Sequence, residues 1–106
     1  MSQPSHPGLY LIFDFDWPET VAAETVQKAR RLHGAVQDQS WIREVVAASN
    51  GIGAGPRSTW IFWLENYAAF DRLLHDSSNE ISTAYVDFFS AMPNVVDKIR
   101  EQVIFK

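Results

Sequence analysis

His75 is the side chain best suited to move a proton near neutral pH, and it sits where His75-Asp76-Ser77-Ser78 interrupts an otherwise helical stretch. An imidazole at such a break suits acid/base work beside a cavity, with Asp76 placed to orient the ring. On the surface near a helix C-terminus, the same histidine would only complement the helix dipole. His6 and His33 share no short ligand spacing with it, so no metal is expected. Asp14 and Asp16 alternate along a strand and offer a carboxylate pair; capping of the following helix is the competing use. Gly51, Gly53 and Gly55 would cradle phosphate only ahead of a helix. Strand-like segments flank them on both sides, so they read as a hairpin tip. Trp60, Phe62 and Trp63 offer rings for stacking an aromatic ligand or for filling a core.

These residues belong to a chain of 106, enough for one domain and too short for a second core. Hydrophobic residues make up 46% and aromatics 13%, which supports a dense core and argues against disorder. Nine Lys and Arg against thirteen Asp and Glu give a net charge of −4, and no run of like charge exceeds Arg30-Arg31. No nucleic-acid partner is expected, because phosphate neutralisation needs a basic stripe. The absence of cysteine excludes disulfides, thiolate metal sites and cysteine nucleophiles, and fits a reducing compartment. No apolar run approaches the ~20 residues of a membrane span, so no membrane partner is expected. The first residues lack the pattern of a signal peptide, and a cytoplasmic location is expected.

Residues 1–8 read as a flexible tail and 9–106 as a single domain. Alternation in Leu9–Phe15 predicts a strand with Leu9, Leu11, Phe13 and Phe15 on one face and Tyr10 and Ile12 on the other. Asp16-Trp17-Pro18-Glu19 is expected to start a helix at once, running to about Val36 with Ala22, Val26, Ala29, His33 and Val36 on its apolar side. Ser40 to Ser49 reads as an edge strand, since Arg43 and Glu44 charge both faces. Ser58–Leu64 is the most apolar strand. Asn66 is expected to cap a helix from Tyr67 to Leu74. Ser77 and Glu80 have capping-box spacing ahead of a helix carrying Ile81, Ala84, Tyr85, Phe88, Phe89 and Met92, which Pro93 stops. Gln102–Phe105 is expected to form the last strand.

Strand, helix, strand, strand, broken helix, strand is the order of a split βαβ arrangement, the ferredoxin-like α+β sandwich, with a four-stranded antiparallel sheet and helices on one face. The first and third strands should be central, being apolar on both faces. Tyr10, Ile12, Ile61 and Trp63 then form an apolar patch on the face without helices. A homodimer packing sheet face on sheet face is the economical cover, because a twofold axis sets the patch against its own copy.

The segments Trp60-Ile61-Phe62-Trp63-Leu64-Glu65-Asn66, Phe70-Asp71-Arg72-Leu73-Leu74-His75-Asp76 and Tyr85-Val86-Asp87-Phe88-Phe89 resemble those of the dimeric α+β barrel superfamily. That group includes antibiotic-biosynthesis-type monooxygenases, stress-responsive A/B barrel proteins and EthD-like and NIPSNAP-like proteins. The resemblance covers nearly all of residues 9–105 and is one of shape more than of signature. It implies a dimer across facing sheets and, in each subunit, a cavity between sheet and helices. Leu9, Leu11, Phe13, Trp60, Phe62, Tyr85 and Phe89 would line that cavity. Stress-responsive barrel cyclases are similar in having a tyrosine three residues before the first of two histidines around the helix break. Here those positions read Arg72, His75 and Ser78, and the first-strand histidine falls near Leu9. The haem-degrading trio of Asn, Trp and His would fall on Phe13 or Asp14, on Leu64 or, with a slip of one that turns the side chain to the opposite face, Trp63, and on His75, so no haem or other cofactor is expected.

The sequence therefore points to a homodimer that binds a hydrophobic small molecule through Leu11, Phe13, Trp60, Phe62 and Phe89. The alternative is a cofactor-free monooxygenase or isomerase acting on an aromatic or quinone-like substrate, with His75, Arg72 or Tyr85 moving or stabilising charge.

Overall fold

Two strands organise the molecule through strict alternation: every second residue of β1 (Leu9–Phe15) and β3 (Ser58–Leu64) is buried, and the residues between are half-buried. The computed structural model describes residues 7–75 and 80–105. Around the two strands stand α1 (Ala23–Gln37), β2 (Ile42–Ser49), α2 (Tyr67–His75), α3 (Glu80–Phe89) and β4 (Val96–Glu101). The sheet order is β2-β3-β1-β4 with every pair antiparallel. This is the ferredoxin-like α+β fold, with the central strands where apolar character on both faces places them.

The inner face is an aromatic core. Register sets Leu11 opposite Phe62 and Phe13 opposite Trp60. Onto this layer α3 lowers Ile81, Ala84, Tyr85, Phe88 and Phe89, α2 adds Ala69 and Leu73, and α1 adds Leu32 and Val36. Phe13 stacks on Phe89 with ring centres 4.2 Å apart, and Phe88 lies edge-on to Phe15 at 5.7 Å. Edge-on and offset rings satisfy their quadrupoles while they exclude water.

Two segments, the first helix and the last strand, depart from the sequence expectations. α1 starts at Ala23, not at Pro18, because the residues before it are used elsewhere: Trp17 packs edge-on to Phe15 and Phe88, and Asp16 holds the far end of the sheet. The apolar side of α1 is centred on Leu32 and Val36, and Val26 points outward, 36% exposed. The last strand is Val96–Glu101, not Gln102–Phe105. Pairing with β1 decides this: the ladder runs from Asp14↔Val96 to Leu9↔Glu101, and Gln102 N donates to Gly8 O at 2.9 Å. Beyond it Pro7 has no N–H to continue the ladder. β4 carries one apolar residue on its inner face, Ile99, so it leaves little pattern to read.

Other expectations hold. Asn66 caps α2, its Oδ1 accepting from Ala69 N at 2.9 Å. β2 is an edge strand, with an irregular register between Ile42 and Glu44. The exception is α3, which ends at Phe89 and not at Pro93; hydrogen-bonded turns after it keep Met92 buried. The expected capping box at Ser77 and the break at residues 76–78 lie outside the described residues.

Replacing Phe88, fully buried between Phe15, Trp17 and Trp60, by Ala should cost about 3–5 kcal/mol of folding free energy. Urea unfolding of the two proteins measures it; a loss under ~1 kcal/mol would mean that this aromatic core is loosely packed.

Candidate functional site

The three residues singled out for chemistry occupy separate surroundings. His75 is 70% exposed at the end of α2, its Nδ1 2.9 Å from Asp71 Oδ1 one turn earlier, so its ring is held by Asp71. Asp76 lies outside the described residues. The Arg72 guanidinium lies 4.7 Å over the Trp41 ring. Tyr85 is buried on α3, in contact with Phe13, Phe62 and Phe89. Burial first, and then the negative charge of Asp97, push its phenol above the ordinary value, so at neutral pH the hydroxyl keeps its proton.

The five residues expected to bind ligand are brought together, but chiefly against one another. Phe13, Phe62 and Phe89 are interlocked with Tyr85 in the core. Leu11 reaches a cleft of about 230 Å³ bordered by Phe70, Asp97, Lys98 and Ile99, between α2 and β4. Trp60 reaches a cleft of about 320 Å³ on the other side of the core, bordered by Ala29, Arg30, His33 and Gly34 of α1. There the His33 ring meets Trp60 edge-on at 6.1 Å, and a Cβ built on Gly34 would meet nothing within 4 Å. By spacing alone His33 belongs to the apolar stripe of α1, and neither Arg30 nor Gly34 stands out. The available signal was Gly34 itself, a glycine inside a helix with no turn to make.

The two aspartates do not act as a pair. Asp14 accepts from Thr59 Oγ1 at 2.6 Å and from Lys98 Nζ at 3.3 Å. Asp16 accepts from Arg57 N at 3.0 Å and from Asn94 Nδ2 at 3.2 Å. The backbone bond from Arg57 holds the Asp16 carboxyl below its usual range, helped by Asn94. Asp16 thus ties the end of the β2–β3 hairpin to the loop before β4. The hairpin tip is a run of left-handed backbone, with φ of 68° at Asn50, 95° at Gly51, 142° at Gly53 and 93° at Gly55. It overhangs Asp14, Thr59 and Val96 and joins two strands, as the glycine spacing implies. Among the described residues, no three His, Asp or Glu side chains gather to hold a metal ion, and no helix is long and apolar enough to cross a membrane.

Solved structures share this architecture. A dimeric ferredoxin-like protein of unknown function from Thermobifida fusca YX is 17% identical, with a TM-score of 0.69 over 91% of this chain and 92% of its own. PA3566 from Pseudomonas aeruginosa is 17% identical, with a TM-score of 0.64 over 99% and 100%. The hypothetical Arabidopsis thaliana protein AT3G17210, solved in solution, is 10% identical, with a TM-score of 0.66 over 100% and 96%. At such identities the likeness shows the fold. No protein-family model matches the chain, and no curated protein sequence matches it significantly.

Two outcomes follow from this geometry. Gly34→Ala should stabilise the protein by about 0.5–1 kcal/mol, because it removes a flexible helix residue and meets open space; a lower midpoint in urea would show that something already fills the gap. The second concerns pH. Asp16 has a folded-state pKa below its unfolded one, so its contribution is present above about pH 4 and is lost as pH falls through the folded value. Asp16→Asn should therefore melt below the parent at pH 7, and the two melting curves should converge as the medium becomes strongly acidic. A gap that stays constant with pH would mean that the carboxylate charge contributes nothing.

Proposed function

We propose that the protein is a homodimeric, cytoplasmic small-molecule-binding protein whose ligand lies in an apolar pocket between its own sheet and helices. The observation that carries this is the cleft over Trp60. It is open to solvent and floored by an indole that is otherwise buried, and Gly34 keeps it clear. Its volume falls at the small end of the range for ligand sites, about 300–1,000 Å³. Binding is favoured over chemistry because His75, Arg72 and Tyr85 share no common cleft among the described pockets. Chemistry on a quinone-like substrate would need them to meet at one reacting atom.

The dimer is supported by the outer face of the sheet. Register arranges that face in rows: Glu44, Trp63, Tyr10 and Arg100 in one, then Val46, Ile61, Ile12 and Lys98 in the next. Tyr10 stacks on Trp63 with centres 5.9 Å apart, and the Arg43 guanidinium lies 5.3 Å from the Trp63 ring centre. The apolar strip thus runs between Arg43 and Glu44 on the β2 edge and Lys98 and Arg100 on the β4 edge, with Arg43 turned onto Trp63 and Lys98 held by Asp14. A twofold axis parallel to the strands lays β2 of one copy over β4 of the other. Glu44 then faces Arg100 across the interface, and the apolar strips cover each other. The dimeric neighbour from Thermobifida fusca has the same fold.

A native mass spectrum of the purified protein tests both halves at once. A dimer carrying a small additional mass is the expected result; a monomer at micromolar concentration would remove the sheet-on-sheet assembly. The arrangement of the two copies has its own test. Glu44→Arg alone should weaken the dimer in sedimentation, and the double change with Arg100→Glu should restore it. Equal weakening in the double variant would refute the strand-parallel axis.

A further inference from the structure

The cleft over Trp60 carries one cation at its rim, and the surrounding charges leave that cation available. Arg30, His33 and Gly34 lie on one side of α1, at i, i+3 and i+4, and all three border the cleft with Trp60. The other bases of this helix are engaged: Lys28 is 3.7 Å from Glu24, and Arg31 lies 2.9 Å from Glu80 and 3.5 Å from Asp87. Arg30 has no ionic partner among the described residues. An indole floor, an imidazole edge and an exposed Arg30 whose stem borders the cleft form a recognisable set. The first two offer ring contacts, and the third has a fork of donors that matches a carboxylate.

We infer that this cleft takes a planar aromatic monoanion, an aryl or heteroaryl carboxylate, with its ring over Trp60 in the space left by Gly34 and its carboxylate at Arg30. The inference rests on the small-molecule-binding reading above and narrows it to one ligand class. An aromatic amine of the same shape would bring like charge to Arg30. A neutral hydrocarbon would fill the cleft and leave the guanidinium unused. The size of the cleft limits the ring system to one or two rings. The opposite cleft, at Leu11, is bordered by both Asp97 and Lys98; Lys98 lies on the outer face of β4 and is bound to Asp14 at 3.3 Å, so that cleft offers no cation without an ionic partner. The cleft stays accessible in the proposed dimer, since α1 lies on the face of the sheet opposite to Tyr10 and Trp63.

The test uses the full chain with 2-naphthoate and its neutral analogue 2-naphthamide. Calorimetry gives the affinities, and shifts of backbone amide resonances locate the site. Naphthoate should bind about tenfold tighter than naphthamide, perturbing the His33 and Gly34 amides. Arg30→Gln should abolish that preference, bringing the naphthoate affinity down to that of naphthamide for the same variant. Gly34→Leu should remove binding of both. Should that variant not fold, the amide shifts in the parent protein locate the site unaided. Equal affinities, with both compounds perturbing His33 and Gly34, would overturn the anion assignment and leave the apolar pocket standing. A preference that survives Arg30→Gln would also overturn it. If neither compound perturbs those amides at about 1 mM, both the ligand class and the cleft as binding site are lost.

Discussion

The antiparallel ladder between β1 and β3 sets Leu11 opposite Phe62, Phe13 opposite Trp60, Tyr10 opposite Trp63 and Ile12 opposite Ile61. One register therefore decides two surfaces, because alternate residues leave opposite faces of a strand. A slip of one residue would turn one strand over against the other, putting Tyr10 on the same face as Phe62 or Phe13 on the same face as Ile61, and neither surface would stay continuous. The Tyr10–Trp63 stack belongs to the same constraint. Gly8 is fitted to it as well: a Cβ there would lie 2.6 Å from Leu64 O and 2.6 Å from Trp63 Nε1. The end of the ladder thus admits glycine alone, and its N–H donates to the Gln102 side chain at 2.9 Å.

What the sequence reveals of this arrangement follows the strength of local pattern. β1 and β3 are legible because both alternate with large apolar residues, and α3 because Ile81, Ala84, Tyr85, Phe88 and Phe89 repeat at helical spacing. β4 is not legible. Val96–Glu101 has little apolar content, and the more strand-like Gln102–Phe105 lies past the point where Pro7 ends the available hydrogen bonds. Pairing partners distant in sequence overrode local propensity there. The start of α1 fails for a related reason. Asp16 reads as a local cap, yet its carboxylate is used by Arg57 and Asn94, 41 and 78 residues away.

The candidate site was legible in its residue types and less so in its arrangement. Trp60 was singled out and does floor a cleft, while Phe13, Phe62 and Phe89 serve each other as core. An aromatic side chain on a central strand looks the same in sequence whether it meets a ligand or another ring. The distinction depends on the facing helix, and a residue without a side chain made it here. Arg30 gave no signal either, since its availability depends on where Glu80 and Asp87 of α3 direct their charge.

The position of the clefts follows from how the helices share the sheet. α1 and α3 pack side by side and lower their large residues onto β1 and β3, where Leu32, Val36, Phe88 and Phe89 are all buried. The edge strands receive less cover: Ala47 on the inner face of β2 and Asp97 on the inner face of β4 both remain exposed. A core this dense has no internal room to lend, because a ligand among Phe13, Phe62, Tyr85 and Phe89 would have to separate rings about 4–6 Å apart, which is close contact for aromatic pairs. Space for a small molecule therefore arises at the margins, where an edge strand outruns its helices. Two margins result, with Arg30 beside Trp60 on the β2 side and Asp97 and Lys98 beside Leu11 on the β4 side. The same shortage of cover operates on the outer face, where among the described residues no helix lies over Ile12 and Ile61 and both stay half-buried.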